Sequence, residues 1–176
     1  MTARPKVQDA YDNVIYDPYE AVRALEHEDG WIALDLETGG LSPWKDPIAV
    51  FSLYGEHTGQ SAVVHTRGNT PEVLRDFLSD PTRKFVSHNG AGFDYLFLAN
   101  SGVDIYAPQT YDTLIGEACT IVSQRRDVRV NLQDTLRRRL GVNIKKGMGE
   151  SPWMSEHLTE EQLKYCVEDI QFLPRL

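Results

Sequence analysis

Residues 31–40, WIALDLETGG, limit the possible folds more than any other stretch of this chain. Ile32, Leu34 and Leu36 take one face of an extended segment, and Asp35 and Glu37 take the other. A run this apolar belongs to an interior strand. On such a strand the two carboxylates leave the same face, roughly 6–7 Å apart. Like charges at that distance repel by about 2–3 kcal/mol at an effective dielectric near 20. Burial makes each charge costlier still. A chain that keeps this strand must offset those charges from elsewhere.

The surrounding elements are legible from periodicity and turn chemistry. Residues 18–30 predict a helix ending near Gly30, before the strand of 31–40. Residues 47–55 and 60–66 are rich in β-branched and aromatic residues and predict a second and third strand joined by a Gly-containing turn. Residues 69–80 predict a helix with a capping residue and Pro71 at its start. A fourth strand follows at 83–89, then a helix over 92–102 stopped by Gly102. An extended piece at 109–111 precedes helices over 112–123 and 131–141, the latter ending at Gly141. In the last helix Thr159 and Gln162 form a capping box, and Leu163, Cys166, Val167 and Ile170 share one face. Pro174 weakens it near the chain end. Three meander strands followed by alternating helices and strands predict an α/β fold with a mixed sheet flanked by helices.

At 176 residues, 41% apolar and 25% charged, the chain reads as one soluble globular domain spanning 1–176. No apolar run approaches the ~18 residues of a membrane span, and the N-terminus carries no signal-peptide core. Cys119 and Cys166 do not make a disulfide framework. These features predict a cytoplasmic protein with no membrane partner. The net charge of −8 argues at first against a nucleic-acid partner. However, Arg125 to Lys146 holds six Arg and two Lys against Asp127 and Asp134, a surface able to contact phosphate or simply a solvated helix face.

Two further stretches join the first. In VSHNGAGFDYLFL, a strand ends at His88–Asn89, a glycine-rich turn follows, and Asp94 sits in the first turn of an amphipathic helix. In LTEEQLKYCVEDIQFL, Tyr165 and Asp169 are four residues apart on one helical face beside the apolar stripe. Four carboxylates from one strand and two helices could therefore converge at one sheet edge. An oxygen-only ligand set suits Mg²⁺ or Mn²⁺ rather than zinc. A pair of such ions suits phosphodiester hydrolysis.

The motifs DLET, HNGAGFD and YCVED, in this order, resemble the three motifs of the DEDD exonuclease superfamily. Tyr165, four residues before the last acid, is the mark of its DEDDy branch, which includes the proofreading domain of family A DNA polymerases and ribonuclease D. The resemblance covers about residues 15 to 176, including YDTLI, and implies a ribonuclease H-like fold: a three-strand meander plus parallel strands.

By resemblance, Asp35, Glu37, Asp94 and Asp169 hold two divalent ions, with Asp35 bridging them, and Tyr165 orients the attacking water. Thr38 and Leu41 contact the terminal nucleotide, Leu41 wedging against its base. Asn89 binds near the terminal sugar or phosphate, although its five-residue spacing to Asp94 is longer than in many members. Trp153 and Trp44 are candidates for stacking on bases, Trp153 being the better placed before the last helix. His57, His65 and His88 are expected to be structural, and His157 lies too far from Asp169 for the histidine variant of the superfamily.

The implied activity is 3′–5′ hydrolysis of single-stranded DNA to nucleoside 5′-monophosphates, alone or proofreading for a DNA polymerase. An RNA exonuclease resembling ribonuclease D and a non-catalytic binding module of the same fold are the alternatives.

Overall fold

The computed structural model describes residues 13–121, 129–144, 147–148 and 151–176. The strands are β1 (Val14–Ile15), β2 (Ile32–Thr38), β3 (Ile48–Gly55), β4 (Ser61–His65), β5 (Lys84–Ser87) and β6 (Gln109–Asp112). The helices are α1 (Pro18–Leu25), α2 (Glu72–Leu78), α3 (Asp94–Asn100), α4 (Thr113–Ile121), α5 (Leu132–Leu140) and α6 (Glu160–Ile170), with 3₁₀ turns at Gly90–Gly92 and Leu173–Arg175. Strand β1 was not expected. Its two residues pair in parallel with Ser61 and Ala62 of β4 and are too few to show a periodicity.

The sheet runs β1-β4-β3-β2-β5-β6. β2, β3 and β4 form the antiparallel meander, while β5 and β6 extend it in parallel beyond β2. This is the mixed, ribonuclease H-like sheet expected from the sequence.

Pleat alternation divides β2 between two layers. Ile32, Leu34 and Leu36 join Phe51, Leu53 and Phe85 under α1, α2 and α3. Ala33 lies on the other face with Val86, beneath Leu132 and Leu136 of α5 and Ile170 of α6. Asp35 and Glu37 follow on that second face.

Local chemistry explains the ends of the elements. Asp17 caps α1 by accepting from the Tyr19 and Glu20 N–H groups. Gly141, with φ 68°, closes α5 in the left-handed conformation. The capping box of Thr159 and Gln162 is formed in full. α2 differs from expectation: Pro71 itself takes the N-cap position, with φ −62° and no side-chain cap. Its ring already holds the backbone in the required extended conformation.

Candidate active site

Strands β2 and β5 are registered only at Ile32–Phe85 and Ala33–Val86. Beyond these pairs the β2 edge facing β5 has no strand partner. Asp94 uses that opening, its Oδ1 accepting the Leu36 N–H at 3.0 Å. A strand-edge donor is satisfied, and the third acid is placed beside the two on β2. The opening lies at the carboxyl ends of β2 and β5, between an antiparallel and a parallel neighbour, where open α/β sheets place ligands. A register irregularity between Glu37 and Thr38, opposite Val50 and Ile48, falls at the same point. Such bulges re-aim side chains beside active sites.

The second motif is a tightly fitted turn. Asn89 adopts φ 69°, a left-handed conformation that Asn tolerates. A Cβ at Gly90 would fall 2.0 Å from Ser87 Oγ, and one at Gly92 would fall 2.6 Å from Asn89 Oδ1. Gly90, which also meets the buried Tyr95 ring, is therefore required by close approach, whereas at Gly92 only the exposed Asn89 side chain stands in the way. Asp112 fastens this turn from β6. Its carboxylate accepts the Asn89 and Ala91 N–H groups at 3.0 Å each and the Leu114 N–H of α4 at 2.9 Å. Sequence reasoning marked YDTLI but assigned Asp112 no role. Its position just before a helical run was the available signal.

From α6, Tyr165 and Asp169 face the acids on β2. The Tyr165 hydroxyl is hydrogen-bonded to Asp169. Oδ1 of Asp169 is buried without a protein partner. Asp94 is 3% exposed, and Glu37 and Asp169 are also buried.

The four acids depart together from ordinary carboxylate behaviour. Burial, then repulsion by Asp94, Glu37 and Asp169, raises Asp35 well above the usual range. Glu37 is pushed up to about 8 by burial and by Asp169 and Asp94. Burial raises Asp94 to about 7 against the opposing Leu36 N–H bond, and raises Asp169 to about 6 against the Tyr165 bond. Burial and the Asp169 charge also raise Tyr165, which keeps its proton.

A divalent cation fits these residues. The donors are all oxygen, one buried carboxylate oxygen lacks a partner, and the charges repel one another. No three of the four acids offer ligand atoms mutually within 4.8 Å. Among the described residues the grouping that does so is Glu28, Asp29 and His57, at the other end of β2. Glu28 is already spent there: it accepts the Gly30, His57 and Thr58 N–H groups and the Thr58 hydroxyl. It staples two turns together.

The remaining expectations divide. Thr38 lies at the end of β2, its hydroxyl donating to Gly40 O at 2.6 Å. Leu41 is 85% exposed just beyond, and Asn89 is exposed at its turn. Trp153 requires correction. It is 2% exposed, packed with Ala49, Val50, Val63, Cys166 and Val167, and so cannot stack on a base. The apolar layer under α6 needs its bulk. Trp44, the lesser expectation, is 74% exposed. His57, His65 and His88 bond to Asp29, to Trp153 O and to Thr113 respectively, as structural histidines do. Of the basic segment, Arg137 pairs with Asp134, and Arg138 and Arg139 both pair with Glu117. Arg125, Arg126, Lys145 and Lys146 lie outside the described residues.

A family model described as 3′–5′ exonuclease matches residues 14–176. The chain belongs to that family. It is a DEDD-type 3′–5′ exonuclease, a hydrolytic enzyme, and the family uses divalent metal ions. Among solved structures, the apo form of a nuclease is 27% identical, with TM-score 0.76, 92% of this chain and 76% of that chain being covered. Brucella melitensis NrnC bound to pGG is 28% identical, with TM-score 0.72 and coverage of 86% and 72%. Escherichia coli RNase D, an exoribonuclease involved in structured RNA processing, shares the fold at 22% identity and TM-score 0.70. That likeness covers 92% of this chain and 42% of RNase D. No match was found among curated proteins.

Proposed function

We propose that this exonuclease trims single-stranded 3′ ends, releasing nucleoside 5′-monophosphates. In this reading Asp35, Glu37, Asp94 and Asp169 hold two divalent ions, Mg²⁺ or Mn²⁺. The observation that carries it is the orphaned, buried Oδ1 of Asp169 among four mutually repelling acids. Held in its charged form, such a group calls for a compensating cation. Bound there, the ions supply Lewis-acid stabilisation of the phosphodiester undergoing attack.

The chain's own groups do the rest. The Tyr165 hydroxyl, which keeps its proton, orients the attacking water by hydrogen bond and does not act as a base. Asp94 locks α3 to the backbone of β2 through Leu36. Thr38 and Leu41 receive the terminal nucleotide at the end of β2, Leu41 against its base, and Asn89 meets the sugar or phosphate. All four acids are present, which favours hydrolysis over a binding module that has lost it.

For the substrate, NrnC with pGG and the exoribonuclease RNase D favour short RNA ends. The DLETGGL motif and the five-residue spacing from Asn89 to Asp94 favour the second reading, DNA, for which a polymerase partner would be natural. The test is digestion of matched 5′-labelled RNA and DNA oligonucleotides of graded length with Mg²⁺, with and without chelator. Stepwise shortening from the 3′ end that chelator abolishes is expected, with RNA the faster. Faster DNA cleavage would establish the second reading, and cleavage unaffected by chelator would overturn the metal assignment.

A further inference from the structure

Loop 39–47 leaves the site at Thr38 and returns at Ile48, which is registered opposite Thr38. Its neck is closed by the Gly39 N–H donating to Pro47 O at 2.9 Å. Its tip is held by Asp46, whose Oδ2 accepts the Ser42 N–H at 2.9 Å while its own N–H donates to Ser42 O at 2.8 Å. A Cβ at Gly40 would lie 2.3 Å from that same Oδ2. This loop is built to one shape, yet its most prominent side chains are apolar and face solvent: Leu41 and Trp44, 85% and 74% exposed.

Two other segments extend the surface. Met154, itself exposed, lies against Gly39, where a Cβ would come within 3.2 Å of its Cγ. The turn at Arg67–Gly68 abuts Pro47, a Cβ at Gly68 falling 2.9 Å from Pro47 Cβ. Lys45 and Arg67 are exposed on these two turns, although the chain as a whole carries −8. An exposed tryptophan next to Lys45 in the chain, on a loop that begins at the terminal-nucleotide position and abuts the Arg67 turn, has the chemistry that holds single strands: bases stack and phosphates meet cations. Rigidity matters because ordering a floppy loop would consume the stacking energy.

We propose that Trp44 is the stacking platform for nucleotides beyond the first one upstream of the scissile bond, with Lys45 and Arg67 contacting their phosphates, so that it sets the enzyme's dependence on strand length. This inference rests on the exonuclease reading, because the strand must run outward from the terminal nucleotide at Thr38 and Leu41.

The test has two arms. In the first, kcat/KM is measured for a dinucleotide and an octanucleotide with the parent, Trp44→Ala and Trp44→Phe. Trp44→Ala should lower the octanucleotide-to-dinucleotide ratio about tenfold, mainly through KM, within the range for loss of one base stack. Trp44→Phe should restore most of it. In the second, tryptophan emission is followed as octanucleotide is added to the Asp35→Asn protein, which should bind without cutting. The quench should disappear when Trp44 is also Phe, since Trp153 is buried and Trp31, half-buried against Tyr111, lies at the opposite end of β2 from Thr38. An unchanged length ratio in Trp44→Ala, or a quench that survives Trp44→Phe, would overturn the proposal. A parent that cleaves nothing while Trp44 still reports binding would instead overturn the exonuclease reading and leave the strand-binding surface standing.

Discussion

Replacing Asp35 by Asn should stabilise the metal-free protein while destroying its activity. Asp35 is pushed well above the usual carboxylate range by burial and by Asp94, Glu37 and Asp169. An acid whose folded pKa exceeds its unfolded value binds its proton more tightly in the fold. Its contribution to stability therefore falls as pH rises from about 4 toward the folded pKa. At pH 8, holding one such carboxyl protonated costs up to about 5–6 kcal/mol relative to an unfolded pKa near 4. Leaving it charged costs about 2–3 kcal/mol for each charged neighbour at 6–7 Å. Relaxation and water reduce both figures, so a net gain of about 2–4 kcal/mol is expected for the isosteric, uncharged Asn. For a chain of this size that raises Tm by roughly 5–15 °C.

The assay is thermal unfolding of parent and Asp35→Asn in chelator at pH 5 and pH 8, repeated with saturating Mg²⁺. The Asn advantage should be large at pH 8, shrink at pH 5, and narrow or reverse with Mg²⁺, which stabilises the parent alone by mass action. An Asn variant less stable than the parent at pH 8 in chelator would refute the reasoning. So would a difference independent of both pH and metal.

Three further outcomes follow from the same geometry. At limiting Mg²⁺, cleavage should rise between pH 6 and pH 9, because protons on Asp169, Asp94 and Glu37, with values near 6, 7 and 8, compete with the cation; saturating Mg²⁺ should flatten the profile. Tyr165→Phe should keep the fold and cut kcat by about 10²-fold without changing that profile, whereas loss of its alkaline limb would show Tyr165 to be a base. Asp112→Ala leaves the Asn89, Ala91 and Leu114 N–H groups without their acceptor, and denaturant unfolding should read a loss of about 2–3 kcal/mol.

The parts of this protein readable from its sequence are those fixed by short-range chemistry. The capping box at Thr159, the left-handed Gly141 and the alternation along β2 each act within a few residues, and each is found in place. The four acids could be grouped because their spacing on strand and helix restricts the faces they occupy. What escaped depended on contacts between distant segments. Trp153 beside the last helix and Trp44 in a loop are equally aromatic in sequence; only the packing of α6 against β3 and β4 decides that the first is buried. Asp112 looks like an ordinary helix cap until the second-motif turn is seen hanging from the same carboxylate. β1 carries no signal because two residues cannot show a period.

The most direct test of the account is anomalous scattering from crystals soaked in Mn²⁺ together with a nucleoside 5′-monophosphate. Density is predicted among Asp35, Glu37, Asp94 and Asp169, with Asp169 Oδ1 as a ligand. Manganese found only at Glu28, Asp29 and His57, or absent from the four acids at saturating concentration, would contradict it.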